Sequence, residues 1–316
     1  MCLLVLPFYV FLLNFNLFYG NAPDLQWQVN APIYGWIVQV LASVPPLLLR
    51  ILFVVCILLQ SLWLDAVVNR YQLTENPQHL TAICTAGFLS LFNEHLYWSA
   101  PFIANFFIIA AIDHIFHGYD THTSSEPFDA AFALGIASLI YLPLGLLLLF
   151  ALIAFQVLRI FRWRQWVLFA AGAFAPYFLL ACVCFWCDSL LLFFPTHFYT
   201  SASSITHPSI GLSELVIEVV LVFFVLLSVL SLIQAEYFKS AVRVRKLLTI
   251  LIYLLALSIA LFAFSDTFSL AILAPALLTL SILAAYVLYR SQKKHLLEIL
   301  HVFVLVLVFV VQYYIQ

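Results

Sequence analysis

The sequence predicts an all-α protein, a polytopic bundle of transmembrane helices. Three observations predict this class: the 316 residues are 66% hydrophobic, only 8% are charged, and the mean hydropathy is +1.13. Soluble globular proteins are about 45–50% apolar and about 25% charged. The composition therefore excludes a water-soluble enzyme, a secreted disulfide scaffold and a nucleic-acid binder, and it predicts one integral membrane domain over 1–316 with no soluble domain.

Apolar runs define the individual helices, because one bilayer crossing takes about 20 apolar residues. The first run follows Met1 with no Lys or Arg before it, which favours an uncleaved crossing over a signal peptide. Residues 33–44 are expected to lie at the membrane interface. We predict about eleven crossings (range about 9–12), at 2–19, 46–68, 77–97, 101–117, twice within 128–158, and at 166–187, 213–238, 247–264, 270–289 and 296–313.

Segment 128–158 decides the topology. As one helix it would be about 46 Å long, whereas the hydrocarbon core is about 30 Å thick. If it crosses twice, with a break near Pro143, every one of the 12 Lys and Arg residues except Arg50 falls on one side. The positive-inside rule favours this arrangement. It places the N-terminus in the cytoplasm, together with the loops 69–76, 118–127, 159–165, 239–246 and 290–295.

Arg50 is the one cation that departs from this pattern, about one turn inside the outer leaflet. A charge at that depth is costly, so it pairs, faces a cavity or extends its side chain to the headgroups. Two interpretations stay open. Arg50 binds a specific phosphate, or it reaches lipid phosphate without specificity.

Carboxylates are predicted at the same depth as Arg50. Glu214 and Glu218 share one helix face because they are four residues apart, although Glu214 also suits a helix N-terminus, where an acid complements the dipole. An arginine beside carboxylates suits phosphate binding and acid–base chemistry. The catalytic candidates are Asp24, Glu94 and Glu218, and the substrate-binding candidates are Arg50, Glu214 and Asp188.

A second group of ionisable residues is predicted on the cytoplasmic side. Its spacing matches no common metal-ligand pattern, so we predict a solvated loop that holds no metal, and no cofactor elsewhere. The six cysteines lie in apolar runs and are expected to be buried. The ionisable group consists of Asp113, His114, His117, Asp120, His122, Glu126 and Asp129.

Several stretches resemble an uncharacterised Bacteroidota family of multi-pass inner-membrane proteins. They are Leu73-Thr-Glu-Asn, Phe128-Asp-Ala-Ala-Phe-Ala-Leu-Gly, Leu158-Arg-Ile-Phe-Arg-Trp-Arg-Gln-Trp and Ala171-Gly-Ala-Phe-Ala-Pro. The resemblance covers most of the chain and implies location in the inner membrane of a bacterium. It implies no activity.

Residues 75–180 are also similar to the multi-spanning C-type glycosyltransferases, which use lipid-linked sugar donors. The shared order is a helix of small residues, an apolar crossing and an Arg-rich turn. This resemblance implies a transferase that acts on an isoprenoid-phosphate-linked sugar at the outer face. The first outer loop, 20–34, is shorter than in those enzymes, and Asp24 is its sole acid.

Three functions therefore remain open: the transferase, a non-enzymatic membrane component or scaffold, and a transporter or flippase. The expected partners are membrane lipids, including a lipid-linked phosphate, and no nucleic acid; protein partners are not predicted. A cavity lined by Arg50 and acids would favour the transferase, and a solid bundle the scaffold. Broken helices around an interior cavity would favour the transporter.

Overall fold

The computed structural model describes residues 2–19, 33–74, 79–91, 96–121, 125–159, 163–188, 240–264 and 270–290. Within these ranges the chain is helical and contains no strands. Five of the helices are long and apolar enough to cross a membrane: Pro46–Arg70, Ala100–Asp120, Trp163–Trp186, Val242–Phe262 and Ala271–Arg290. The all-α class is confirmed, and these helices are those of an integral membrane protein. The count of about eleven crossings stays a prediction.

The described helices, in chain order, are α1 (Cys2–Leu13), α2 (Asn16–Tyr19), α3 (Tyr34–Ala42), α4 (Pro46–Arg70), α5 (Leu80–Leu91), α6 (Ala100–Thr121), α7 (Glu126–Ile140), α8 (Leu147–Leu158), α9 (Trp163–Trp186), α10 (Val242–Phe264) and α11 (Ala274–Arg290). The predicted crossings 46–68 and 166–187 agree with α4 and α9 to within one helical turn. The predicted crossings 213–238 and 296–313 lie outside the described residues.

Helix α5 (Leu80–Leu91) lies within the predicted crossing 77–97, and because residues 92–95 lie outside the described residues, the length of this crossing stays a prediction. Two predicted boundaries differ from the structure. Helix α6 extends into the predicted loop 118–127, and α10 begins inside the predicted loop 239–246. An ion pair between Asp120 and Arg243 joins these two extra turns, which explains why helix continues into polar sequence.

The predicted break near Pro143 is confirmed. Tyr141 has an extended backbone after α7, and a 3-10 turn over Leu142–Leu146 leads into α8. Proline lacks the amide that an α-helix needs at this position. The chain then reverses, because Glu126 at the start of α7 and Phe155 near the end of α8 both lie beside Gly118 of α6. Whether both arms of this hairpin cross a membrane stays a prediction.

Helices α7 and α9 pack closely and in parallel. A side chain at Gly172 would collide with the carbonyl of Phe128, and a Cβ at Gly135 would lie 2.9 Å from Pro176. Further along, the hydroxyls of Ser138 and its neighbour Tyr177 are hydrogen-bonded at 2.7 Å. Small residues that let two backbones approach are typical of helix contacts in membranes.

The outer side of α9 is left exposed by this one-sided packing. Cys184 faces α7 and is buried, whereas Cys182 and Cys187 are exposed. The expectation that every cysteine is buried is therefore wrong for these two, because apolar residues on a membrane helix can face lipid as well as the core. The described cysteines are free thiols.

The bundle has two ends, which we name by their contacts. At the Arg50 end, α4 begins beside α2, the hydroxyl of Tyr34 donates to the carbonyl of Trp98 at 2.5 Å, and the indole of Trp98 donates to the carbonyl of Leu49 at 3.2 Å. The basic end consists of Arg70, Asp113, His114, His117, Tyr119, Asp120, Glu126, Asp129, Arg243 and Lys246. Helix α4 runs from the Arg50 end to the basic end, and α6 runs in the same direction.

Candidate functional site

The structure describes two of the six site residues predicted from the sequence, Arg50 and Asp188. Asp24, Glu94, Glu214 and Glu218 lie outside the described residues. Their convergence on one ligand therefore stays a prediction.

Arg50 lies half-buried in the second turn of α4. Its Nη1 atom donates a hydrogen bond to the carbonyl of Phe18 at 3.2 Å, so the guanidinium joins α4 to the last residues of α2. Arg50 therefore has a structural role in joining these two helices.

Asp188 follows the end of α9 and is exposed. Its backbone has a φ of 52°, a left-handed conformation that aspartate tolerates better than most residues, and its amide donates to the carbonyl of Phe185 at 3.1 Å. Because α9 packs mainly on α7 while α4 packs mainly on α5, nothing in the described helices draws Asp188 towards Arg50.

A buried ionisable pair lies inside the bundle at Asp65 of α4. Its Oδ2 atom is 2.8 Å from Nδ1 of His79 and accepts a hydrogen bond from Asn69 at 3.1 Å. The carboxylate also faces the amide of Ala82 in the first turn of α5. The Asp65 side chain is 5% exposed and that of His79 is 38% exposed, so the imidazole links a buried acid to the surface.

Two buried amide side chains lie deeper along the α4–α6 contact. Gln60 donates from Nε2 to the carbonyl of Phe102 at 2.9 Å, but its Oε1 atom has no partner among the described residues. Asn105, about one turn further along α6, is fully buried, and neither polar atom of its side chain has a partner there. A buried polar atom without a hydrogen bond costs free energy, so these groups indicate an interior site for water or a polar ligand.

Other interior polar groups are paired between helices. Thr85 of α5 and Ser281 of α11 share a hydrogen bond of 2.8 Å. Asn14, just after α1, donates to the hydroxyl of Ser90 at 2.8 Å. Hydrogen bonds of this kind stabilise helix association in membranes, so we assign these pairs to structure.

At the basic end, Asp113 of α6 holds the last turn of α4. Nη1 of Arg70 lies 2.9 Å from one carboxylate oxygen of Asp113 and 3.1 Å from the other, and the hydroxyl of Tyr71 donates to Oδ1 at 2.7 Å. Burial, the hydrogen bond to Asp113 and the charge of Asp113 raise the pKa of Tyr71. Tyr71 therefore stays protonated and acts as a donor.

Two histidines of α6 contact the carboxylate of Glu126, the first residue of α7. Nδ1 of His114 lies 2.9 Å from Oε2, and Nδ1 of His117 lies 2.7 Å from Oε1. Burial alone would raise the pKa of Glu126, but the hydrogen bonds and charges of the two histidines lower it below its usual value. Asp129 lies close by, and ligand atoms of His114, Glu126 and Asp129 all fall within 4.8 Å of one another.

Two further contacts tie α10 to α6 at this end. Arg243 binds Asp120 at 2.6 Å, and the Lys246 ammonium lies 5.1 Å from the centre of the Tyr119 ring. The residues predicted to form a solvated loop thus form an ordered contact surface between helices; His122 lies outside the described residues.

Sequence reasoning missed Asp65, His79, Gln60 and Asn105. One signal could have found the first of them, because Asp65 is an acid inside the predicted crossing 46–68, where ionisable residues usually have a function. Comparison with known proteins adds no assignment: no protein family, curated protein or solved structure matches the chain.

Proposed function

We propose that the protein is a multi-pass transporter of a bacterial inner membrane, in which Asp65 and His79 bind and release a proton that drives a polar solute. The observation that carries the proposal is the buried carboxylate of Asp65 inside a helix long enough to span a membrane. Ionisable residues within such helices are rare, costly and typical of proton and ion paths.

The Asp65–His79 pair has the chemistry of a proton relay. An imidazole ring has two nitrogens that can accept and donate protons, and the partially exposed ring of His79 can exchange protons with water. The 2.8 Å contact from its Nδ1 atom passes a proton to or from the buried carboxylate. A neutral Asp65 would weaken its attraction to the first turn of α5, which couples protonation to the position of a helix.

Interior polar groups support the same function. Transporters bind their substrates at polar sites near the middle of the membrane. The side-chain oxygen of Gln60 and both polar atoms of the Asn105 side chain, which have no partner among the described residues, are suited to bind a polar solute or water in the interior.

The experiment compares Asp65→Asn with Asp120→Asn, since both remove one acid and only the first removes the buried one. Infrared difference spectra recorded over a pH titration detect carboxyl groups that take up a proton. We expect one such band that is present in the wild type and in Asp120→Asn and is lost in Asp65→Asn. Proton flux into proteoliposomes under an imposed potential should fall in parallel, at least about tenfold.

A folded Asp65→Asn variant with the full carboxyl band and unchanged proton flux would contradict the transporter and favour the scaffold. The close α7–α9 packing through Gly172 and Gly135 is what the scaffold would need. His79→Gln serves as a second variant: it retains a hydrogen-bond partner for Asp65, and we expect slower proton flux with the band preserved.

A second candidate, favoured by Arg50, is the transfer of an isoprenoid-phosphate-linked sugar at the outer face. The guanidinium of Arg50 offers charge-assisted hydrogen bonds to a phosphate. In this function Asp24, Glu94 and Glu218 would supply the general base, and Glu214 and Asp188 would bind the substrate. The partners would be membrane lipids and a lipid-linked phosphate.

The transferase is tested by ligand-induced thermal stabilisation. A polyprenyl phosphate should raise the unfolding temperature of the wild type, and the neutral polyprenol should not. Arg50→Gln should abolish the shift, whereas Arg50→Lys should retain part of it. Equal shifts with the phosphate and the alcohol would rule out a phosphate site at Arg50.

A further inference from the structure

We propose that His114, Glu126 and Asp129 bind a divalent first-row transition-metal ion at the basic end, with His117 as a positioning residue. This site is separate from the Asp65–His79 pair and does not depend on the transport function. It reverses the expectation of a metal-free loop, because the fold brings together residues from two helices whose spacing along the chain matches no common pattern.

The donor atoms are close enough for one ion to bind them. Their ligand atoms lie within 4.8 Å of one another, and Nδ1 of His114 is 2.9 Å from Oε2 of Glu126. Two donors on one ion with bonds of about 2.0–2.2 Å are about 3 Å apart when the angle at the metal is near 90°. Modest movement of the Asp129 side chain completes a three-ligand set, and water can fill the remaining positions.

The electrostatics also favour a cation. Glu126 is 7% exposed, and a second carboxylate, that of Asp129, lies within 4.8 Å of it. Two carboxylates at this distance repel each other, and a divalent ion between them replaces that repulsion by attraction.

His117 has the role of an orienting partner. It contacts Oε1 of Glu126 at 2.7 Å, opposite the oxygen that faces His114, and ligating carboxylates are commonly held by such a second hydrogen bond. Gly118 allows the approach, since a Cβ there would lie 3.2 Å from the Cβ of Glu126. The His114 side chain is 41% exposed, which leaves a path for the ion to enter.

The ligand set indicates which ions fit. One imidazole and two carboxylates suit Zn²⁺ or Mn²⁺, whereas Mg²⁺ prefers oxygen ligands and retains its waters. By bridging α6 and α7, the ion would fix the start of the α7–α8 hairpin.

The test is metal content after stripping with a chelator, loading with ZnCl₂ and removal of any affinity tag. We expect about one zinc per chain in the wild type and in Asp120→Asn, which alters a neighbouring acid of the same end outside the site. Asp129→Asn should lower zinc affinity at least about tenfold; it removes a ligand but keeps both histidine contacts of Glu126. Excess Mg²⁺ should not displace the zinc.

A second measurement keeps the proposal falsifiable if a variant fails to fold. Co²⁺ bound to the wild type should give visible d–d absorption, and His117→Gln should weaken Co²⁺ binding without changing the band positions. The proposal is overturned if the loaded wild type holds no zinc, or if a folded Asp129→Asn binds zinc as tightly as Asp120→Asn.

Discussion

The two ends of the bundle hold their charges in different ways. At the basic end, acids of α6 bind cations from other helices: Asp113 binds Arg70 of α4, and Asp120 binds Arg243 of α10. At the Arg50 end, the described guanidinium contact is to a backbone carbonyl, that of Phe18.

This difference shows that one helix organises the basic end. The last three turns of α6 carry acids, histidines and an aromatic ring that meet α4, α7 and α10. Among the described residues, the Arg50 end shows aromatic packing and hydrogen bonds to carbonyls, such as that from Tyr34 to Trp98. Substitutions at the basic end should therefore have effects that spread over several helices.

The largest effect is expected in a test of topology, because each reporter fusion lies either on one side of the membrane or on the other. Reporter fusions after Tyr119, Arg164 and Lys246 should all report the cytoplasm, because the basic end would then lie wholly on one side. A fusion after Trp98 should report the opposite side and serves as the control. If the fusion after Arg164 reports the periplasm, the hairpin 128–158 crosses once and the two ends are not the two membrane faces.

Asp113→Ala should cause the largest loss of stability among single charge removals. It removes the carboxylate acceptor of the Tyr71 hydroxyl, which keeps only the backbone carbonyl of residue 113 at 3.1 Å, and it frees Arg70. Hydrogen bonds to charged groups contribute about 1.5–3 kcal/mol. We expect the free energy of unfolding in detergent to fall by about 2 kcal/mol. Asp113→Asn, which retains an acceptor oxygen, should lose less; equal losses would mean that Tyr71 contributes nothing.

Arg50→Gln should have an intermediate effect, which includes the link between α2 and α4. The described bond of 3.2 Å to Phe18 is longer than typical, so we expect its loss to cost about 1 kcal/mol, and less for Arg50→Lys, which keeps a charged donor. Thermal unfolding in detergent measures both. A loss as large as that of Asp113→Ala would show that the Arg50 end also contains a charge network.

Composition and charge predicted the class of this fold well. The apolar runs located α4 and α9, and the position of Pro143, together with the charge rule, located the break between α7 and α8. They could not predict which helices pack against each other. Hydropathy identifies α5 as apolar but cannot show that its described residues are buried, because that depends on their packing between α4 and α11.

The candidate sites also divide into those that a pattern along the sequence reveals and those that depend on contacts between helices. Arg50 was identified because it breaks a one-dimensional pattern. The His114–Glu126 contact was missed because it joins two helices, α6 and α7, and depends on the close approach at Gly118, which the sequence alone does not reveal. Asn105 and Gln60 were missed because a lone amide in an apolar run has no pattern; only burial and the absence of a partner among the described residues distinguish them.

The smallest effect is expected from Asp120→Asn, although it breaks the shorter of the two ion pairs at the basic end. Arg243 and Asp120 are 38% and 34% exposed, so water solvates both charges when they separate. Exposed pairs contribute about 0.2–1 kcal/mol, and salt screens them. We expect a loss of at most about 0.5 kcal/mol that disappears in about 1 M salt.

A double-mutant cycle with Arg243→Gln measures the same pair directly, since it separates the interaction energy from the effect of each substitution alone. A coupling above about 1.5 kcal/mol, persisting in high salt, would mean that the Asp120–Arg243 contact is shielded from water in the membrane-embedded protein. In that event the Asp120–Arg243 pair, which joins α10 to α6, would contribute about as much to the free energy of unfolding as the contacts of Asp113, which join α4 to α6.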